Sequence, residues 1–204
     1  MRIAILTITI CHLLFTTSPL SFGSNEKDPV DEMKSLRKAA DQGDVEAQYS
    51  LGVCYIKGKG VGRNLSEAIE WFSKAAEQGH AKAQTYLGMS NLSGVGVKTN
   101  PVEAVKWLNK ASEQGETIAQ MALAGCYADG NGITQNLIEA YKWAAIALAG
   151  DFFLSEGTAD GFKIAKECSA LLEKQMTSEQ IAQAKQMAAN FKPRSTANNS
   201  TFKP

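Results

Sequence analysis

The chain says the same thing every 36 residues. Gly43, Gly79 and Gly115 are separated by that offset, and so are Ala47, Ala83 and Ala119, then Gln48, Gln84 and Gln120, then Leu51, Leu87 and Leu123. The register runs on through Gly58, Gly94 and Gly130, Gly60, Gly96 and Gly132, Asn64, Asn100 and Asn136, and Glu67, Glu103 and Glu139. It closes with Ala68, Ala104 and Ala140, and with the three tryptophans of the protein, Trp71, Trp107 and Trp143, all at one position. A fixed period between about 20 and 50 residues is the mark of a solenoid, in which one small unit stacks on copies of itself.

Each unit reads as two helices. In the first, Ala47, Leu51 and Tyr55 recur at helical spacing and share a face. Gly52 weakens that helix, and because Gly88 and Ala124 follow at the same position, close approach of a neighbouring helix is the expected reason. Gly58-Lys59-Gly60-Val61-Gly62 stops the helix, glycine accepting the positive φ of a helix end. Asn64-x-x-Glu67, Asn100-x-x-Glu103 and Asn136-x-x-Glu139 then predict N-caps with an acidic third residue, and Pro101 suits the first helical position. Ala68, Ile69, Trp71, Phe72, Ala75 and Ala76 form the apolar stripe of the second helix, which Gln78-Gly79 ends. A hairpin this short cannot bury its stripe alone, so the units must stack.

The motif Leu51-Gly52, Tyr55, Gly58-Lys59-Gly60-Val61, Glu67-Ala68, Trp71 and Lys74-Ala75-Ala76-Glu77-Gln78-Gly79 resembles the Sel1-like repeat, a relative of the tetratricopeptide repeat. The resemblance covers about half of the chain and implies an all-α solenoid of stacked antiparallel helix pairs with capping helices at both ends. It implies adaptor or scaffold work, without naming a partner.

In chain order, residues 1–23 read as a signal peptide: Arg2 is the positive start, Ile3 to Phe15 the apolar core, and Ser21-Phe22-Gly23 a cleavage site before Ser24. The alternative is an uncleaved anchor. Residues 28–43 form an N-terminal capping helix, the second half of an incomplete repeat, with Asp28 as cap and Pro29 following. Repeats occupy 44–79, 80–115 and 116–150. After Trp143 the register falters, reaching Gly150 one residue early. Residues 158–191 read as a closing helical hairpin, its second helix capped by Thr177-x-x-Gln180, and 192–204 as a disordered tail. With 21 basic against 21 acidic residues there is no field to attract nucleic acid or an anionic membrane.

Chemistry is sparse. Cys54, Cys126 and Cys168 lie beyond the leader. Cys54 and Cys126 share a repeat position two units apart, too far for one disulfide, so three small buried residues is the favoured reading. An intermolecular disulfide or a reactive thiol is the alternative. His80 lies in no cluster with metal-ligand spacing. Gly58-Lys59-Gly60 and Gly94-Val95-Gly96 follow helices and lack the ending of a phosphate loop. The tryptophans read as core, with Trp107, in the central unit, touching neighbours on both sides. No catalytic, cofactor-binding or metal-binding residues are expected, and the chain reads as a non-enzyme.

The family alignment places ligand-facing positions on the first helices: Glu46, Tyr49, Ser50, Val53 and Lys57, then Lys82, Thr85, Tyr86, Met89 and Ser93, then Ile118, Met121, Ala122, Gly125 and Asp129. These do not recur from unit to unit, as a binding face requires. For Val53 and Ile118 inter-repeat packing is an equal alternative, whereas Tyr49 and Met121 read toward an adaptable groove. The chain is therefore expected to be a secreted or periplasmic scaffold, monomeric and without stable membrane insertion once the leader is gone, that holds a protein or peptide on its concave face. The alternative is an envelope protein that binds or hydrolyses cell-wall ligands such as β-lactams.

Overall fold

A computed structural model describes residues 29–150 and 159–194. The expected signal peptide lies outside the described residues. The described residues hold helices and no strands: α1 (Pro29–Asp41), α2 (Val45–Lys57), α3 (Leu65–Glu77), α4 (Ala81–Ser93), α5 (Pro101–Glu113), α6 (Thr117–Asp129), α7 (Leu137–Ala149), α8 (Ala159–Glu173) and α9 (Ser178–Ala189). The hairpins α2–α3, α4–α5 and α6–α7 are the three repeats, and each packs on the next through α3–α4 and α5–α6. At the start α1 packs on α2, and at the end α8 and α9 both pack on α7.

Local chemistry closes each hairpin in the same way. Gly58, Gly94 and Gly130 end the first helices at φ 69, 76 and 70°, each returning its N–H to the carbonyl four residues earlier. Asn64, Asn100 and Asn136 accept first-turn N–H groups on their side chains. Their own N–H groups donate back to Tyr55, Asn91 and Tyr127 of the preceding helix at 3.0, 2.8 and 2.9 Å. One residue type thus starts the second helix and ties it to the first. The acidic third residue acts differently from a reciprocal box at two of the three caps, because Glu103 and Glu139 reach forward to Lys106 and Lys142. A complete reciprocal box forms at Thr177 and Gln180.

The glycines of the first helices meet the second helix of their own unit. A Cβ at Gly52 would stand 2.6 Å from the Phe72 ring, and one at Gly88 2.6 Å from Leu108. In the third unit Ala124 carries a methyl, and Ala144 stands at the position of Phe72 and Leu108. The volume is exchanged across the pair, and both alanines are fully buried.

Two expectations need correction. Trp71 and Trp143 are 3% and 5% exposed, but Trp107 is only partly buried, packed against the first-unit cluster with Lys110 over its ring. Where the register falters in the sequence, Gly150 takes an extended conformation, φ −75° and ψ 145°, and the third unit ends without the left-handed turn of the others. The patternless tail begins too early at 192: Pro193 and Arg194 are docked on the end of α5. Residues 195–204 lie outside the described residues.

Candidate functional site

The first helices lie side by side in the stack and carry the residues expected to face a ligand. The burial of those helices is the surprise. Between Ala83 and Asn91 every residue of α4 is buried, a run long enough to pass all round a helix. Helix α6 is nearly as enclosed. Tyr49, Val53, Thr85, Tyr86, Met89, Met121 and Gly125, expected to line an open groove, are all buried.

For the aromatic members the reason is packing between units. Tyr49 stacks on His80 at 4.4 Å and tilts against Phe72 and Tyr86 at 5.8 and 6.1 Å. Tyr86 in turn stacks on Phe72 at 4.6 Å. This cluster joins α2, α3 and α4, so Tyr49 and Tyr86 are cement between the first and second units. Met89 and Met121 belong to the apolar core of the second and third units with Val105 and Leu108.

What remains open is the rim. Lys57, Ser93 and Asp129 occupy one repeat position at the C-terminal ends of three successive first helices, and all three are exposed. Glu46 and Lys82 are exposed at the N-terminal ends, where Ile118 is half-buried. Glu46 sits beside His80, whose Nδ1 accepts the Ala83 N–H at 3.1 Å while Nε2 faces the Glu46 carboxylate at 3.1 Å. His80 is therefore the N-cap of α4, the place that Asp44 holds on α2.

A sequence signal for this arrangement exists. From Ala83 to Ser93 and from Thr117 to Ala128 the chain has no charged residue, so neither helix has a polar stripe to offer water. Non-recurrence of residues alone did not separate a groove floor from inter-unit packing.

Cys54, Cys126 and Cys168 are buried, and no disulfide joins them. Burial pushes the Cys126 thiol up to about 12 and the Cys168 thiol up to about 11, and the Asp129 charge adds to both. Enclosure and a raised pKa favour the packing role for Cys126 and Cys168. Among the described residues no group of His, Cys, Asp and Glu could hold a metal ion, and no helix is long and apolar enough to cross a membrane.

With that geometry in hand, comparison with known proteins is informative. The Sel1 repeat matches residues 36–44, 45–80, 81–116 and 117–152, the three full matches each starting one residue later than the repeats read from the glycines. Two solved structures share the architecture. A Sel1 repeat protein from Oxalobacter formigenes is 26% identical with a TM-score of 0.63, over 94% of this chain and 74% of that one. A protective antigen of uropathogenic Escherichia coli strains, displaying an SLR fold, is 28% identical with a TM-score of 0.57, over 92% of this chain and 45% of that one. Among curated proteins, the rat DAP3-binding cell death enhancer 1 is 46% identical over 48 residues, which are 22% of this chain and 9% of that protein. The chain thus spans less than half of the E. coli antigen and a small part of the rat protein.

Proposed function

This chain belongs to the Sel1 repeat family, typically protein-interaction scaffolds, and on that premise we propose that it is a secreted or periplasmic, non-enzymatic scaffold holding a protein or peptide segment along the rim of its first helices. The observation that carries the reading is the row Lys57, Ser93, Asp129. Unlike the buried non-recurring positions beside it, this one is exposed in all three units, where it carries a cation, a hydroxyl and an anion in succession. The row presents a charge order that fits an extended segment with an acid near the first unit and a base near the third. The buried floor of Tyr49, Val53, Thr85, Tyr86, Met89, Met121 and Gly125 fixes the spacing of that row. The DAP3-binding relative is consistent with protein partners, and the charge–apolar–small pattern of residues 1–23 supports export.

A photocrosslinking residue at Lys57 or Asp129, introduced in the native cell, should give a protein adduct, and one at Glu70 on the second-helix side should not. Equal labelling at all three positions would sink the rim as the binding face. Mass spectrometry of the exported protein should find a mature N-terminus near Ser24, and an intact Met1 on cytosolic protein would overturn export.

A further inference from the structure

Beyond α9 the chain turns back along the ends of the second helices. Phe191 stands edge-on to Trp143 at 5.4 Å and 70°. Pro193 lies on Gly115, its ring carbons 3.4 and 3.6 Å from where a Cβ would be. The Arg194 N–H donates to the Glu113 carbonyl oxygen at 2.7 Å, and its guanidinium sits 3.0 Å from the Glu113 carboxylate. A Phe-Lys-Pro-Arg segment thus bridges the tryptophan of one unit and the Glu-Gln-Gly corner of the unit before.

Both halves of that seat are repeat positions, so the solenoid contains the seat again, one unit earlier: Trp107 with Glu77-Gln78-Gly79. The corner residues are identical and so is the backbone. Gly79 and Gly115 have φ 96 and 95°, and His80 and Glu116 return their N–H groups to Ala75 and Ala111 at 3.0 and 3.1 Å. Exposure differs in the expected sense. Trp143, with Phe191 against it, is buried, and Glu113 and Gln114 are half-buried, whereas Trp107 is half-buried and Glu77 and Gln78 are exposed. Among the described residues none bonds to the Glu77 carbonyl as Arg194 bonds to that of Glu113.

We propose that Trp107 and the Glu77–Gly79 corner form a second docking seat, which takes an extended aromatic-x-Pro-Arg segment of a partner protein. The chain's own tail displays the chemistry. The aromatic ring supplies apolar area on the tryptophan. Proline has no N–H to satisfy and lies flat where glycine offers no side chain. The next N–H meets a helix-end carbonyl that lacks an intrahelical partner. The arginine–glutamate pair is exposed, 79% and 42% at the side chains, so it orients the segment and adds little affinity. The seat lies on the second-helix side and stands independently of the Lys57–Asp129 rim.

The test uses the full chain and a synthetic peptide with the sequence of residues 189–196, Ala-Asn-Phe-Lys-Pro-Arg-Ser-Thr, carrying benzoylphenylalanine in place of the phenylalanine. Saturable binding is expected, with photoadducts on α5 around Trp107. Glu77→Lys should weaken binding by about five-fold or more, as should Trp107→Leu and alanine at the peptide's aromatic position. Glu113→Lys should leave it unchanged. If Trp107→Leu fails to fold, Glu77→Lys, at an exposed position, decides alone. Adducts on α7 around Trp143, indicating exchange with the chain's own tail, would overturn the proposal. So would self-association through that tail, binding indifferent to Glu77→Lys, or no binding at millimolar peptide.

Discussion

Gln114 donates its side-chain amide to the side-chain oxygen of Gln84 at 2.7 Å. One unit earlier Gln78 does the same to Gln48 at 2.8 Å. Gln48, Gln84 and Gln120 in turn donate to the carbonyls of Ala40, Ala76 and Ser112, at the ends of the preceding second helices, at 3.2, 3.0 and 3.2 Å. A chain of amides therefore runs through the stack and gives a second donor to helix-end carbonyls that already accept the N–H groups of Gly43, Gly79 and Gly115. It stops at the third unit, where Gly150 occupies the position of Gln78 and Gln114.

Removing a rung should be costly. Gln84→Ala removes the side-chain donor from the Ala76 carbonyl, which keeps the Gly79 N–H at 3.0 Å, and takes from the Gln114 amide its partner in the neighbouring unit, leaving it the Lys110 carbonyl at 3.4 Å, so a loss of about 0.5–1.5 kcal/mol is expected. At about 2–4 °C per kcal/mol for a chain this size, calorimetry would register it, and an unchanged melting temperature would mean that water replaces the rung freely.

The loop glycines should differ in a definite order. Gly43 and Gly132 both have positive φ, 93 and 76°. A Cβ at Gly43 meets nothing within 4 Å, whereas one at Gly132 runs into the Pro101 carbonyl of the preceding unit. Gly43→Ala should cost about 1–2 kcal/mol from its backbone alone, and Gly132→Ala clearly more. Urea titration of the two variants gives the ranking; equal midpoints would remove the inter-unit contact from the explanation.

Burial reverses what the sequence suggested for two side chains. Tyr49→Ser and Met121→Ser empty space inside the stack and should each cost about 2–5 kcal/mol, where an open groove would have tolerated them. Trp143→Ala belongs in the upper part of that range, and half-buried Trp107→Ala falls below it. If denaturation ranks Trp107 above Trp143, the half-burial assigned to Trp107 is wrong.

Alkaline pH should unfold the chain through its thiols and one phenol. Burial, then the hydrogen bond and charge of Glu173, push Tyr141 up to about 12, beside Cys126 at about 12 and Cys168 at about 11. The unfolded chain releases these protons from about pH 9 for the thiols and about pH 10 for the phenol, while the folded chain holds them. Their stabilising effect is complete below pH 9 and fades as pH rises through 11 to 12. Stability measured from pH 7 to 11 should be flat at first and then fall, and at pH 8 a thiol reagent should label the cysteines only in urea. Rapid labelling of the native chain would show that the thiols are not enclosed.

The sequence by itself determined the unit, the hairpin and the stack. A 36-residue register can repeat Gly58, Asn64 and Ala68 only if each unit makes the same turn, the same cap and the same contact, and these are local or nearest-neighbour events. It did not determine which sides of the first helices are covered. The family alignment and its aromatic ring place Tyr49 on a groove, yet it lies between Phe72, His80 and Tyr86 of two units. Recurrence registers what every interface shares, and a contact made at one interface only leaves no periodic trace. The docking of Phe191 to Arg194 on Trp143 and Glu113–Gly115 was hidden for the same reason: it joins residues about 50 to 80 positions apart through a segment with no helical period. Only the tertiary structure brings those groups together, because chain reversal after α9 sets their distance and no property of the residues themselves does.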